Sequence, residues 1–426
     1  MYPSQRIAAH LFALAAVFAA SGANADILIG VAGPMSGQYA SGGEQMRNGV
    51  EAAVTAINAA GGVLGQKLKV EVGDDVCDPK QAVAVANAMV NKKVSAIVGH
   101  YCSSSTIPAS EVYSEAQTPM ITISTNGKVT DRGLKNVFRL TGRDDQEGVV
   151  AAEYLVKKFP GKKVAVIDDK SAYGKGQADI VAKYLVDHKA APVLRESITA
   201  GEKDYTALVT KLKTAGIDVV FYGGYYTELG LILRQSSQGG LKLAVMSGNT
   251  STSAELATAA GSAIDGLLFT FYPDPRKYPA SAEIVKRFHD NKIEPDGYVL
   301  FCYAAVQVYA QALQKAGSLK YADVQKHWPG AASTRCWARR NSTRRVTRRI
   351  PASSCTNGRV TSTTRLSDLR AEADFMPPRF IPANPSFVHG VLHVAIFTAD
   401  DQRADARIAV QASSPSATRW CMASSG

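Results

Sequence analysis

The chain has no apolar run long enough to cross a bilayer, which takes about 20 residues; even the stretch from Leu11 to Ala20 is too short. Its six cysteines give no metal-binding pattern: neither Cys77 nor Cys102 has a second Cys or His at ligand spacing, so no metal or other cofactor is expected. Gly174-Lys175-Gly176 lacks the third spaced glycine of a dinucleotide loop and reads as a tight turn. His100 and Cys102 are neighbours, yet no triad-like spacing accompanies them, and the chain is not expected to be an enzyme. A basic body is lacking too. The net charge of +11 divides into about +2 over residues 1–325 and about +9 over residues 326–426. The excess belongs to the tail, so no nucleic-acid partner is expected for the body.

What is present is a targeting segment followed by alternating elements. Residues 1–25 read as a secretory signal: Arg6, an apolar stretch from Leu11 to Ala20, and Ala23-Asn24-Ala25 as a cleavage site. The mature chain would start at Asp26 in an oxidising compartment. There, a bridge between Cys77 and Cys102 fits, and Cys302 reads as a core residue in an apolar helix. Strands are expected at 26–32, 67–72, 94–98 and 119–124, and again at 163–167, 193–198, 218–222, 243–246 and 267–272. Helices lie between them, at 44–59, 79–93, 147–158, 177–188, 205–215 and 229–238, and two more follow at 280–290 and 298–316. Strands alternating with helices predict α/β architecture, here as two doubly wound parallel-sheet lobes.

The stretch from Asp74 to Thr106 is the most informative. A helix with apolar Ala82, Val83, Val85, Ala86, Met89 and Val90 leads into the buried-strand pattern of Val94 to Val98. That strand ends at Gly99-His100-Tyr101-Cys102 and the hydroxyls Ser103, Ser104, Ser105 and Thr106. Hydroxyls at the carboxyl end of a strand, before the next helix, sit where open α/β sheets bind ligands. The same hydroxyls also serve as helix caps, and the free N–H groups of the helix suit an anion.

GDDVCDPKQAVAVAN, GHYCSSST, ITAGEKDYTALVTKLK and FYGGYYTELGLILRQ resemble the periplasmic leucine/isoleucine/valine-binding proteins of ABC transporters, from about Asp26 to about Gln325. The resemblance implies a type I periplasmic binding protein fold. Residues 26–143 plus 273–325 would form one lobe and 144–272 the other, closing on a ligand in the cleft. It also implies the Cys77–Cys102 disulfide, a monomer, an amino-acid ligand and a permease partner in the inner membrane. Ser103 in YCSSST resembles the holder of the ligand carboxylate. Ser124 and Thr125 fall in the loop, one residue shorter here, that grips both backbone groups. Tyr173 in KSAYGKG and Tyr225 in YGGYYTE resemble the residues that close over the ligand; as a sequence pattern alone they are also ordinary loop aromatics. Asn249 stands where the family has an acidic partner for the ligand ammonium. A charge-assisted bond is roughly twice as strong as a neutral one. Three consequences are open: weaker amino-acid binding, compensation by a nearby Asp or Glu, or a ligand without an ammonium. The competing function is a sensor of the same fold for amides or small aromatic acids, although the signal segment favours transport.

After about Lys326 the basic residues become almost all Arg (Arg335, Arg339, Arg340, Arg344, Arg345, Arg348, Arg349), and periodicity is lost. Such composition reads as disorder. Read one base earlier, codons for Arg335 to Thr343 can spell Val-Leu-Gly-Glu-Lys-Glu-Phe-Asp, and those from Thr343 to Thr347 can spell Ala-Lys-Gly-Asp. These words resemble the closing region of the family, where Phe-Asp and Lys-Gly-Asp precede the last strands. The expectation is a frameshift near residue 326, leaving an aberrant tail over 326–426. The second lobe would then lose its final strands, and only two crossings between the lobes would remain.

Overall fold

A computed structural model describes residues 25–328 and 395–398. The signal segment and nearly all of the tail lie outside the described residues. Strands β1 (Ile27–Gly33), β2 (Leu68–Asp74), β3 (Ala96–Gly99), β4 (Met120–Thr122) and β5 (Val137–Arg139) form one sheet, in the order β2-β1-β3-β4-β5. All of its pairings are parallel. Strands β6 (Val164–Asp168), β7 (Leu194–Ser197), β8 (Val219–Gly223), β9 (Ala244–Ser247), β10 (Leu268–Phe271) and β11 (Ala395–Thr398) form the second, in the order β11-β10-β9-β8-β6-β7. Its first five strands pair in parallel, and β11 joins antiparallel to β10.

The α/β reading holds in both sheets. Their central strands β3, β6 and β8 are buried along their whole length, which explains their unbroken apolar sequences. The edge strand β2 is exposed at Lys69 and Val72 and half-buried at Val70 and Glu71. Strand β11 pairs with β10 in the second sheet, where the sequence reading expected the final strands to be lost.

The helices are α1 (Ala40–Ala59), α2 (Pro79–Asn91), α3 (Ser103–Glu115), the single turn α4 (Lys128–Asp131), α5 (Asp144–Lys158), α6 (Ala172–Asp187), α7 (Thr206–Ala215), α8 (Tyr226–Gln238), α9 (Ala254–Ala260), α10 (Ala282–Asp290), α11 (Val299–Ala316) and α12 (Tyr321–Lys326). Local chemistry fixes several ends. Asp78 caps α2 by accepting from the Gln81 N–H, with Pro79 in the first turn. Ser171 caps α6 by accepting from the Gly174 N–H at 2.9 Å. Gly216 and Gly317 close α7 and α11 in the left-handed conformation. Helix α11 returns the chain to the first lobe and packs on α1. A Cβ at Gly49 would lie 2.2 Å from the Val299 carbonyl oxygen, so only glycine lets these helices approach so closely.

The Cys77–Cys102 disulfide is formed, tying the loop before α2 to the residue just before α3. In the chain-entropy account, closing a loop of this size stabilises by roughly 3–4 kcal/mol. Cys302 is a buried free thiol in α11, as expected of a core residue. Among the described residues no helix is long and apolar enough to cross a membrane, and no side-chain group could hold a metal.

Candidate functional site

Both sheets have the same order around their first strand, and both turn the carboxyl ends of their strands towards a shared cleft. Ligands of open α/β sheets bind at such ends, near the point where strand order reverses. Here that position holds a cavity of about 220 Å3, lined by Tyr101, Ser103, Ile123, Ser124, Thr125, Tyr173, Tyr225, Asn249, Thr250 and Tyr298. All six residues singled out from the sequence line it: Ser103, Ser124, Thr125, Tyr173, Tyr225 and Asn249. Tyr101, Ile123, Thr250 and Tyr298 join them without having been foreseen.

The first-lobe wall follows β3 and β4. Ser103 opens α3, so the positive end of that helix faces the cavity beside a hydroxyl. Ser124 lines the same wall. Its hydroxyl lies 2.9 Å from the carbonyl oxygens of both His100 and Tyr101 and contacts the Thr106 hydroxyl, so it ties the β3 and β4 loops together. The Thr125 carbonyl accepts from the Asp144 N–H (3.0 Å) and from Arg139 (2.7 Å). Behind the loops, His100 bridges Asp75 (2.5 Å) and the Tyr113 hydroxyl (3.1 Å), all buried.

The second-lobe wall is aromatic. Tyr173, in the first turn of α6, and Tyr225, at the start of α8, have ring centroids 5.2 Å apart. Tyr225 also meets Tyr39 at 4.6 Å and Tyr101 at 6.1 Å, both from the first lobe. The Tyr173 hydroxyl is buried with no hydrogen-bond partner. It lies close to Gly248, where a Cβ would come within 2.5 Å of it.

Asn249 follows β9. Its Nδ2 donates to Glu147 Oε2 at 2.5 Å, and its Oδ1 accepts from the Tyr298 hydroxyl at 2.5 Å. Thr270 donates to the other Glu147 oxygen at 2.6 Å. A carboxylate therefore does stand next to Asn249, as one of the three readings of that position anticipated. Burial pushes the Glu147 carboxyl up to about 8, helped by the Asp144 charge and opposed by the bonds from Thr270 and Asn249. Burial likewise pushes Asp144 up to about 7, against bonds from Thr125 and Gln177 and the Arg139 charge. Asp169 is raised to about 6, again mainly by burial.

The lobes touch around the rim. The Ala172 N–H donates to Ser104 Oγ at 3.0 Å, and Asn126 Nδ2 donates to the Ala172 carbonyl at 2.6 Å. Thr227 donates to the Gln38 carbonyl at 2.9 Å, and the Tyr39 hydroxyl lies 3.2 Å from each Glu228 oxygen.

The family model for periplasmic binding proteins matches residues 26–345. The chain belongs to the periplasmic binding protein family. Members of this family are binding proteins of the periplasm, and the chain is accordingly not an enzyme. It is 47% identical over 318 residues to the Leu/Ile/Val-binding protein homolog 1 of Brucella suis, an alignment covering 74% of this chain and 85% of the relative. An amino acid binding protein of Pseudomonas aeruginosa is 50% identical over 298 residues, covering 69% and 80%. Among solved structures, LivJ from Streptococcus pneumoniae in complex with isoleucine superposes with a TM-score of 0.65 at 26% identity, covering 72% of this chain and 88% of that one. The leucine-binding LivK from Thermotoga maritima gives 0.66 at 26% identity, covering 71% and 87%. The fold expected from the sequence is the fold of these periplasmic binding proteins.

Proposed function

We propose that this periplasmic binding protein is the solute receptor of an ABC importer, closing its lobes on a branched-chain or related amino acid and delivering it to a membrane permease. The observation that carries the reading is the pairing of two unlike walls around one small cavity. Ser103 and the start of α3 suit a carboxylate, while Tyr101, Tyr173, Tyr225 and Tyr298 suit an apolar side chain. The similarity to a Leu/Ile/Val-binding protein homolog and to LivJ in complex with isoleucine supports the same ligand class. The sensor reading for amides or small aromatic acids has no separate observation in its favour.

The proposal includes export through the signal segment with cleavage after Ala25, action as a monomer, and no nucleic-acid partner. It also keeps the lobe boundaries 26–143 plus 273–325 and 144–272, and the frameshift origin of residues 326–426. Resequencing the gene tests the last point, and an unbroken frame encoding the same residues would remove it. Thermal melting of the secreted chain against aliphatic amino acids tests the ligand. At about 100 times Kd, ligand stabilises by roughly 2.7 kcal/mol, a midpoint rise of a few degrees for a protein of this size. No shift with leucine, isoleucine or valine would overturn the reading.

A further inference from the structure

We infer that Glu147, acting through Asn249, is the counter-charge that selects ligands carrying an ammonium group. The inference rests on the amino-acid reading of the cavity and goes beyond it by assigning the charge to a residue that does not line the wall. Position 249, where the resemblance places an acidic residue, holds a neutral amide. The amide is fixed at both ends: Nδ2 to Glu147 at 2.5 Å and Oδ1 to the Tyr298 hydroxyl at 2.5 Å. A donor from the ligand thus meets an Asn249 oxygen already oriented by Tyr298, with a carboxylate on the far side of the same amide. Through this bond the Glu147 charge polarises the amide and acts over one intervening side chain in a water-poor setting, where charges interact more strongly than in water.

Glu147 is fully buried and has no ion-pair partner among the described residues. Its polar neighbours are Thr270 from β10 at 2.6 Å and Asn249. The charged and titratable groups facing it are Asp144 on its own helix, Tyr173 from α6, Tyr272 after β10 and Tyr298 before α11. Arg139 from β5 faces Asp144 and Tyr272 rather than Glu147. No cation in this set pairs with the carboxylate, which burial holds at about 8. A carboxyl raised in this way is mostly protonated near neutral pH, and an ammonium in the cavity favours its ionised form. A second observation points into the same cavity. The Tyr173 hydroxyl, 1% exposed and lining the wall, has no partner. It is a further polar group poised for a ligand.

The test compares leucine with 4-methylpentanoate, which has the same carbon skeleton without the amine, by calorimetry on the full secreted chain. The wild type is expected to prefer leucine by at least about tenfold. Glu147→Gln is expected to reduce that preference about tenfold, with leucine binding weakened and 4-methylpentanoate binding not weakened. Restoring a carboxylate on the wall, in N249D combined with E147Q, is expected to recover the preference, a rescue that a merely structural Glu147 would not give. Calorimetry of the unmutated protein near pH 7.5, in buffers of different ionisation heat, adds a readout independent of variant folding. Leucine should release a fraction of a proton from Glu147, and 4-methylpentanoate should release none. An unchanged ligand ratio in E147Q, or equal proton release by both ligands, overturns the inference alone. Failure of the wild type to bind leucine overturns the amino-acid reading, and the inference with it.

Discussion

The two lobes contribute opposite chemistries to one cavity. The first brings small hydroxyls and the opening turn of α3, beside the rings of Tyr101 and Tyr298, with Arg139 behind the loop. The second brings Tyr173, Tyr225 and Asn249, with Asp144, Glu147 and Asp169 buried around them. One side is thus poised for an anion and the other for a cation and an apolar body. On the proposed function, a zwitterion with a side chain would be read in parts, each held fully only when the lobes meet. The sheets share a topology, so the difference comes from a few side chains at the strand ends rather than from the architecture.

The strongest way to break this contrast is to remove the aromatic wall. Tyr225 meets Tyr39, Tyr101 and Tyr173, so it joins rings from both lobes. Tyr225→Ala should weaken leucine binding by about 100-fold, the scale of a buried aromatic anchor at the centre of a contact. Tyr225→Phe should keep most of the affinity. Equal losses in the two variants, measured by calorimetry, would move the role from the ring to the hydroxyl. On the opposite wall, Ser103→Ala removes one hydroxyl but leaves the α3 N–H groups. A hydrogen bond to a charged group contributes about 1.5–3 kcal/mol, so a loss of roughly 10- to 150-fold is expected for leucine. Here 4-methylpentanoate should lose by the same factor, because both ligands carry the carboxylate.

Much of this was legible before any coordinates, and the illegible part follows a pattern. Helices begin about a turn before their apolar periodicity does. The pattern predicts helix starts at Glu44, Glu147, Gln177 and Leu229, whereas α1, α5, α6 and α8 start at Ala40, Asp144, Ala172 and Tyr226. Those extra turns face the cleft, where Gly, Ser, Asp and Tyr replace the apolar residues on which periodicity depends. Strand β5 was missed because it is a three-residue edge strand, and α9 because it has only seven residues. Ser103, Tyr173 and Tyr225 could be found because they sit in contiguous motifs. Glu147 could not, since its meaning depends on Asn249, 102 residues further along the chain. Tyr298 was hidden for the same reason: its partner Asn249 belongs to the other lobe.

The carboxylates of the second lobe also make the contrast visible to pH. Folding raises Asp144 to about 7, Glu147 to about 8 and Asp169 to about 6. A carboxyl raised on folding binds its proton more tightly in the native state. Its contribution is complete below the unfolded value near 4 and is lost as pH rises through 6 to 8. The melting midpoint of the ligand-free protein should therefore fall by several degrees between pH 5 and pH 9. E147Q should flatten that slope, while Ser103→Ala, on the wall without carboxylates, should leave it unchanged. A slope that survives in E147Q combined with D144N would place the titration elsewhere.

The smallest effect is expected where the lobes touch outside the cavity. The Tyr39 hydroxyl, from the first lobe, lies 3.2 Å from both Glu228 oxygens on α8, and Glu228 also accepts from the Gly201 N–H at 2.9 Å. Tyr39→Phe removes one long bond and leaves the carboxylate its second partner, while the ring contact with Tyr225 stays. The closed arrangement should be disfavoured by less than 1 kcal/mol, and affinity should fall about threefold through faster ligand release. Closure is common to every ligand, so leucine and 4-methylpentanoate should lose by the same factor, unlike the ligand-selective loss expected for E147Q. Stopped-flow release rates would distinguish the two. A Tyr39→Phe protein that changed the leucine preference would mean that the contact between the lobes, and not only the chemistry of each wall, reads the ammonium.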